Sequence, residues 1–167
     1  MKSYNELQLA KELIKFPTVT PNDAGIINYL VKILKPIGFD CKVLEFKSKD
    51  SKKVKNLYAK LGKSSPNFCF AGHTDVVPPG NLKNWKTNPF KPKIINKFLV
   101  GRGASDMKSS IACFMESSAN TEQWIFMGGN SRASTISIFL ISLASSRVFP
   151  INISTNSLDE AIAEPQP

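Results

Sequence analysis

The chain has 167 residues, of which 42% are hydrophobic and 21% charged, and carries a formal net charge of +9. That length suits about one domain, and the composition excludes a wholly disordered or collagen-like chain. The positive charge would admit nucleic acid as a partner, but the lysines are dispersed and accompany no helix-turn-helix or RNA-binding signature, so no nucleic-acid function is expected.

Ser3-x-x-Glu6 reads as a capping box, and Leu7, Ala10, Leu13 and Ile14 follow at helical spacing until Pro17 stops the pattern. Asn22 or Asp23 can cap a second helix with an apolar stripe of Ile26, Ile27, Leu30, Ile33, Leu34 and Ile37. Gly38 closes it as a left-handed residue. Phe39, Cys41 and Val43 then alternate with polar neighbours, as do Leu57, Ala59 and Leu61, so two strands are predicted on either side of the charged turn 47–55. Asn67 to Ala71 is a short apolar run entering Gly72, the pattern of a central strand buried on both faces. Two helices followed by three strands predict an α/β fold.

Val76 to Phe90 contains Pro78, Pro79, Gly80 and Pro89, too many breakers for regular structure. A hairpin is predicted around Asn96-Lys97, then a glycine-rich turn from Gly101 to Asp106, then a helix with its stripe at Ile111, Ala112, Phe114 and Met115. That turn lacks the spacing and the Lys-Ser/Thr pair of a phosphate-binding loop. Ser134 to Leu143 can form one more strand. All 19 lysines lie within the first 108 residues, and the net charge is +11 over 1–119 but −2 over 120–167. Two regions are therefore expected, an organised part at 1–119 and a divergent, poorly ordered tail at 120–167. No membrane span is expected, because the longest apolar run is well short of the ~18–20 residues one requires. No secretory signal is expected at the start. Cys41, Cys69 and Cys113 are odd in number and lack metal-site spacing, which suits buried free thiols in a reducing cytoplasm.

His73-Thr74-Asp75 follows the expected central strand, and alternation puts the two ionisable side chains on one side of an extended segment. Ligands of open α/β sheets bind beyond the carboxyl ends of strands. An aspartate two residues from a histidine can take the proton of the ring nitrogen turned away from a metal, orienting the ring. Asp106, at the end of the second glycine-rich turn, could face the same cleft. The plainer readings are a hydrogen-bonded turn histidine, a turn-capping Asp75 and an Asp106 that caps the following helix.

Phe70-Ala-Gly-His-Thr-Asp-Val-Val-Pro-Pro-Gly80 and Gly101-Arg-Gly-Ala-Ser-Asp-Met-Lys108 resemble the two amino-terminal signatures of the di-zinc aminoacylase and carboxypeptidase family. The stretch Phe16 to Gly25, the Ile37-Gly38-Phe39 turn and the Trp85 to Phe90 stretch are also similar to it, and the likeness runs from about residue 5 to 116. The fold this implies is the amino-terminal portion of a zinc-peptidase-like catalytic domain, with helices packed on a mixed sheet and further strands and a dimerisation domain absent. By the same resemblance His73 is a ligand to one zinc, Asp75 orients it, and Asp106 bridges two metal ions, zinc or cobalt. The branch most alike implies hydrolysis of N-succinyl-L,L-diaminopimelate, a step toward lysine and cell-wall precursors. The implied partner is a small N-succinyl amino acid, with no nucleic acid and no membrane.

The family pattern continues with an apolar strand ending in a Glu-Glu pair, the first a general base and the second a ligand, then a further acidic ligand and a second histidine. Ser134 to Ile141 resembles the strand, but Ser142-Leu143-Ala144-Ser145 stands where the pair would be, and His73 is the only histidine. Glu160 and Glu164 faintly resemble the later acidic ligand or belong to a solvated acidic tail, and Ser109 replaces the usual Gly after Lys108. The resemblance thus implies a truncated or frame-shifted, inactive chain. Alternatives are half of a split enzyme completed by a second chain, or a non-enzymatic basic binding protein.

Overall fold

The computed structural model describes residues 5–47, 53–63, 65, 67–119 and 135–141. Helix α1 spans Glu6–Lys15 and is capped by Asn5, whose side-chain oxygen accepts from the Gln8 N–H at 3.0 Å. The expected cap, Ser3, lies outside the described residues. The buried stripe of α1 is Leu9, Ala10, Leu13 and Ile14, while Leu7 faces solvent, because Leu9 and not Leu7 shares a face with Leu13. Helix α2, Ile26–Leu34, buries the five predicted apolar residues within its span. Neither Asn22 nor Asp23 caps it: Gly25, left-handed at φ 86°, stands at its start, and the Asn22 side chain accepts instead from the Ala24 N–H. A single tight turn at Lys35–Ile37 then ends on Gly38 at φ 97°, as the sequence requires.

Strands β1 (Asp40–Phe46), β2 (Val54–Gly62), β3 (Asn67–His73) and β6 (Thr135–Ile141) form one mixed sheet in the order β1-β2-β6-β3. β1 and β2 are antiparallel, as are β2 and β6, whereas β3 and β6 run parallel. β4 (Lys93–Ile95) and β5 (Phe98–Val100) form the predicted separate hairpin, with Asn96 and Lys97 both at positive φ as a tight two-residue turn demands. Helix α3, Ser109–Ala119, buries Ile111, Ala112, Phe114 and Met115, the predicted stripe. Ser109 takes ordinary helical angles, φ −68° and ψ −40°, so a serine there starts the helix without strain.

The three helices share one core with the inner strands. Leu57 and Ala59 of β2 and Ile136, Ile138 and Leu140 of β6 pack with the buried faces of α1, α2 and α3. The register sets Leu57 opposite Leu140 and Ala59 opposite Ile138, so one face of the sheet is continuous hydrocarbon. Between them Tyr58 and Phe139 point the other way and meet edge to face, with ring centroids 6.4 Å apart.

β3 is not the central strand its composition predicts. β6 takes the slot between β2 and β3, and the far side of β3 meets no other strand among the described residues. Its aromatic content serves α3 instead: Phe70 and Phe68 stack on Phe114, at 4.5 and 6.0 Å between centroids. β6 comes from the lysine-free region of the chain, so residues on both sides of position 120 contribute to one sheet. The thiols also differ from expectation. Cys41 and Cys69 are half-buried, with burial pushing both thiols above their ordinary pKa, and Cys113 is exposed on α3 because it lies off the helix's apolar stripe.

Ile138 is fully buried at the centre of the sheet, so Ile138→Ala should lower stability by about 2–5 kcal/mol, measured by denaturant unfolding. An undiminished midpoint would show that β6 contributes nothing to the core. In thiol alkylation near neutral pH, Cys113 should react before Cys41 and Cys69, and mass spectrometry of a time course checks the order.

Candidate metal centre

The site is assembled where three stretches of chain meet. The first is the end of β3, where His73 is the last strand residue and Thr74, Asp75 and Val76 continue beyond it. The second is residues 16–20, which run beside that extension: Val19 and Val76 form a parallel bridge, the Val76 N–H donates to the Thr18 carbonyl at 2.9 Å, and the Thr20 N–H to the Val76 carbonyl at 3.3 Å. The third is the glycine-rich turn from Gly101 to Lys108. Gly103 sits there at φ 85°, and a Cβ on it would lie 2.8 Å from Val76 Cγ1, so only glycine lets the turn approach so closely.

His73 is placed between two oxygens. Nδ1 lies 3.0 Å from the backbone carbonyl of Asp75, and Nε2 lies 2.9 Å from Asp106 Oδ1. The carbonyl can only accept, so Nδ1 carries the proton. The Nε2 lone pair of the neutral ring then faces a carboxylate oxygen, which is also an acceptor. Two acceptors at that distance call for a cation, either a second proton on the ring or a metal ion. The expectation that Asp75 orients His73 through its carboxylate takes a different form, because Asp75 Oδ1 is 3.7 Å from Nδ1 and the closer contact is the carbonyl. Asp75 is 4% exposed and Oδ2 accepts from Thr20 Oγ1 at 2.5 Å. Asp106 does not cap α3. It has extended angles, φ −130° and ψ 98°, lies ahead of the helix start, and its side chain, 84% exposed to solvent, reaches His73 through Oδ1.

Several residues to which the sequence reading assigned no role support these three. Thr18 Oγ1 donates to the Thr74 carbonyl at 2.7 Å, and the His73 N–H contacts Met107 Sδ at 3.4 Å. Lys108 is completely buried, with Nζ donating to the Phe16 carbonyl at 2.8 Å. Burial lowers its pKa from the ordinary 10.5 to about 8, and the Asp75 carboxylate opposes that shift. Arg102 lies over the Trp85 ring at 5.1 Å and donates to the Pro78 carbonyl at 3.3 Å, which ties the proline-rich loop to the glycine-rich turn. The signal in the sequence was polar residues inside short motifs, but their partners are up to 92 residues away.

The three stretches enclose a cleft of about 260 Å³ onto which Thr20, His73, Asp75 and Asp106 open. His73 Nε2 and Asp106 Oδ1 have the donor chemistry of a zinc or cobalt site, and Asp75 fixes the ring. A catalytic zinc normally takes three protein ligands and a water, and the described residues contain no cluster of three or more His, Cys, Asp or Glu side chains suited to a metal. Glu160 and Glu164, and the Ser142 to Ser145 stretch, lie outside the described residues. No described helix is long and apolar enough to cross a membrane.

Residues 69–125 match the Peptidase family M20/M25/M40. A protein of Pelagibacter ubique (strain HTCC1062) named succinyl-diaminopimelate desuccinylase is 61% identical over 115 residues, covering 69% of this chain and 30% of that protein. A protein of the same name from Wolbachia pipientis wMel is 50% identical over 127 residues, 75% of this chain and 31% of its own length. The chain thus spans about 30% of the length of the curated relatives it matches. Among solved structures, human carnosine dipeptidase 1 superposes with a TM-score of 0.67 at 17% identity, covering 81% of this chain and 31% of that one. The metallo-carboxypeptidase Sso-CP2 of the M20 family from Sulfolobus solfataricus gives 0.64 at 20% identity, covering 82% and 30%. The mixed sheet with its helices therefore has the fold of part of such catalytic domains.

Lys108 makes stability depend on pH. The unfolded chain keeps this proton up to about 10.5 while the folded chain releases it near 8, so the unfolded state binds more protons in between and stability rises across that window. The rise should amount to about 3 kcal/mol at most. Comparing the unfolding midpoints of the protein and of Lys108→Met between pH 7.5 and 10.5 isolates it, because the variant should lack this component of the rise.

Proposed function

We propose that this chain, whose amino-terminal part is homologous to succinyl-diaminopimelate desuccinylases of the M20 peptidase group, carries part of the machinery for divalent-metal-dependent hydrolysis of N-succinyl-L,L-diaminopimelate to succinate and L,L-diaminopimelate. The observation that carries this reading is the pair of acceptors His73 Nε2 and Asp106 Oδ1, 2.9 Å apart at the carboxyl end of β3, beside a cleft. When bound there, a zinc or cobalt ion supplies charge stabilisation at the amide carbonyl and a water of lowered pKa. In this proposal Asp106 and His73 hold the ion, and Asp75 holds the His73 ring through its carbonyl and its buried carboxylate. The cytoplasm, where such biosynthetic precursors are made, is the compartment this reading favours.

The proton of the attacking water needs an acceptor that these residues do not provide. Asp75 is buried and bonded to Thr20, while His73 and Asp106 are committed to the ion. A general base is worth about 10²–10⁴-fold in rate, and the family pattern assigns it to a Glu-Glu pair that does not follow the 134–141 segment of this chain. The reading therefore needs two further elements, a third metal donor and a base, that the described residues do not supply.

Zinc titration calorimetry should give a single site of micromolar or weaker affinity, lost in His73→Ala. A tight two-zinc stoichiometry would overturn the incomplete-site reading. The purified chain with zinc or cobalt should not hydrolyse N-succinyl-L,L-diaminopimelate detectably, because groups that act as a unit lose more than additively. Turnover only when a polypeptide carrying the remaining length of a matched relative is added would favour the alternative of a split enzyme. Turnover by the chain alone, abolished in Asp106→Ala, would show that the site is already complete.

A further inference from the structure

The Asp75 carbonyl holds His73 Nδ1 at 3.0 Å, and the structure shows what fixes the Asp75 side chain. Its side chain is 5% exposed, Oδ2 accepts the 2.5 Å hydrogen bond from Thr20 Oγ1, and Oδ1 is the oxygen turned toward His73 Nδ1 at 3.7 Å. Torsion about the carboxylate bond is broad and roughly two-fold, so holding one oxygen determines where the other points. Thr20 can hold it because its own backbone is fixed. The bridge between Val19 and Val76 and the hydrogen bond from the Thr20 N–H to the Val76 carbonyl attach it to the chain just beyond Asp75. Thr20 also lines the cleft shared with His73 and Asp106.

We propose that Thr20 is a positioning residue of the metal centre: its hydroxyl fixes the Asp75 side chain, and with it the Asp75 carbonyl that holds His73 Nδ1, and so sets the presentation of Nε2 to a divalent cation. This rests on the reading of His73 and Asp106 as metal donors. A buried hydroxyl outside the cleft provides the comparison: Ser118 on α3 donates to the Phe114 carbonyl at 2.7 Å and so supports the fold alone.

The test compares zinc affinity by calorimetry, and the visible absorption of bound cobalt(II), in the protein and in Thr20→Val, Thr20→Ser and Ser118→Ala. Loss of a ligand's own hydrogen-bond partner typically weakens metal binding ~10–100-fold; Thr20 acts one bond further out, so a loss at the low end, ~10-fold, is expected in Thr20→Val together with an altered cobalt spectrum. Thr20→Ser keeps the hydroxyl and should restore both. Ser118→Ala should lose stability but keep the affinity and the spectrum. Thr20→Ala replaces the valine variant should that one not fold. Wild-type affinity in Thr20→Val, or a loss in Thr20→Ser as large as in Thr20→Val, would overturn the proposal while leaving the metal reading intact. Failure of both Thr20→Val and Thr20→Ala to fold, with Thr20→Ser folded, would make the hydroxyl a structural element and overturn it as well. Absence of any zinc or cobalt binding by the unaltered chain would overturn both readings together.

Discussion

A carboxylate buried at 4% exposure has to be matched, and much of this site's geometry is the matching of Asp75. Removing a charge from water costs several kcal/mol unless hydrogen bonds and an opposite charge replace the solvent. Here the Thr20 hydroxyl supplies a hydrogen bond, and the buried Lys108 contributes positive charge to the same interior. Each of these draws a distant stretch of chain into place. Thr20 brings the segment after α1, and Lys108, through the Phe16 carbonyl, brings the start of α3 against the same segment. The two groups at which a metal ion would be held are thereby brought within 2.9 Å of each other, although Asp106 itself is largely exposed.

The sheet provides the other half of the constraint. Parallel pairing of β3 with β6 places the end of β3 level with the end of β6, His73 opposite Ile141. The hydrocarbon face formed by Leu57, Ala59, Ile136, Ile138 and Leu140 holds the helices, and the stacking of Phe70 on Phe114 seats α3 over β3. Since α3 begins directly after the glycine-rich turn, that seating also sets where Asp106 can reach. Packing in the core and donor placement at the rim are therefore linked through α3. The strain of bringing the turn close is relieved by glycine at position 103, where any side chain would strike Val76.

The elements and the residues that meet at the cleft could be read from the chain because their signals are local. The stripes of α2 and α3, the left-handed Gly38, the positive-φ pair Asn96-Lys97 and the spacing of His73 and Asp75 each depend on residues a few positions apart. What the sequence did not reveal was non-local. The apolar run 67–71 suggested a strand covered on both sides, but composition cannot say which strand becomes its neighbour, and β6 took the central place. One local detail also differed: Asn5, directly before α1, accepts the N–H of Gln8. For Asp106 the sequence offered both a helix cap and a place in the cleft, and the turn geometry turned it to His73.

By itself the sequence determined the kinds of group available: one histidine, two aspartates in glycine-flanked motifs, and a helix-and-strand alternation able to bring them to one end of a sheet. Tertiary structure alone decided how those groups are held. It placed the Asp75 carbonyl rather than its carboxylate nearest the ring, gave the carboxylate to Thr20, and buried Lys108 against a carbonyl 92 residues away. The physical reason is that hydrogen-bond partners of buried polar groups are chosen by proximity in the packed core, where desolvation penalises any group left unmatched, and no spacing along the chain encodes that proximity.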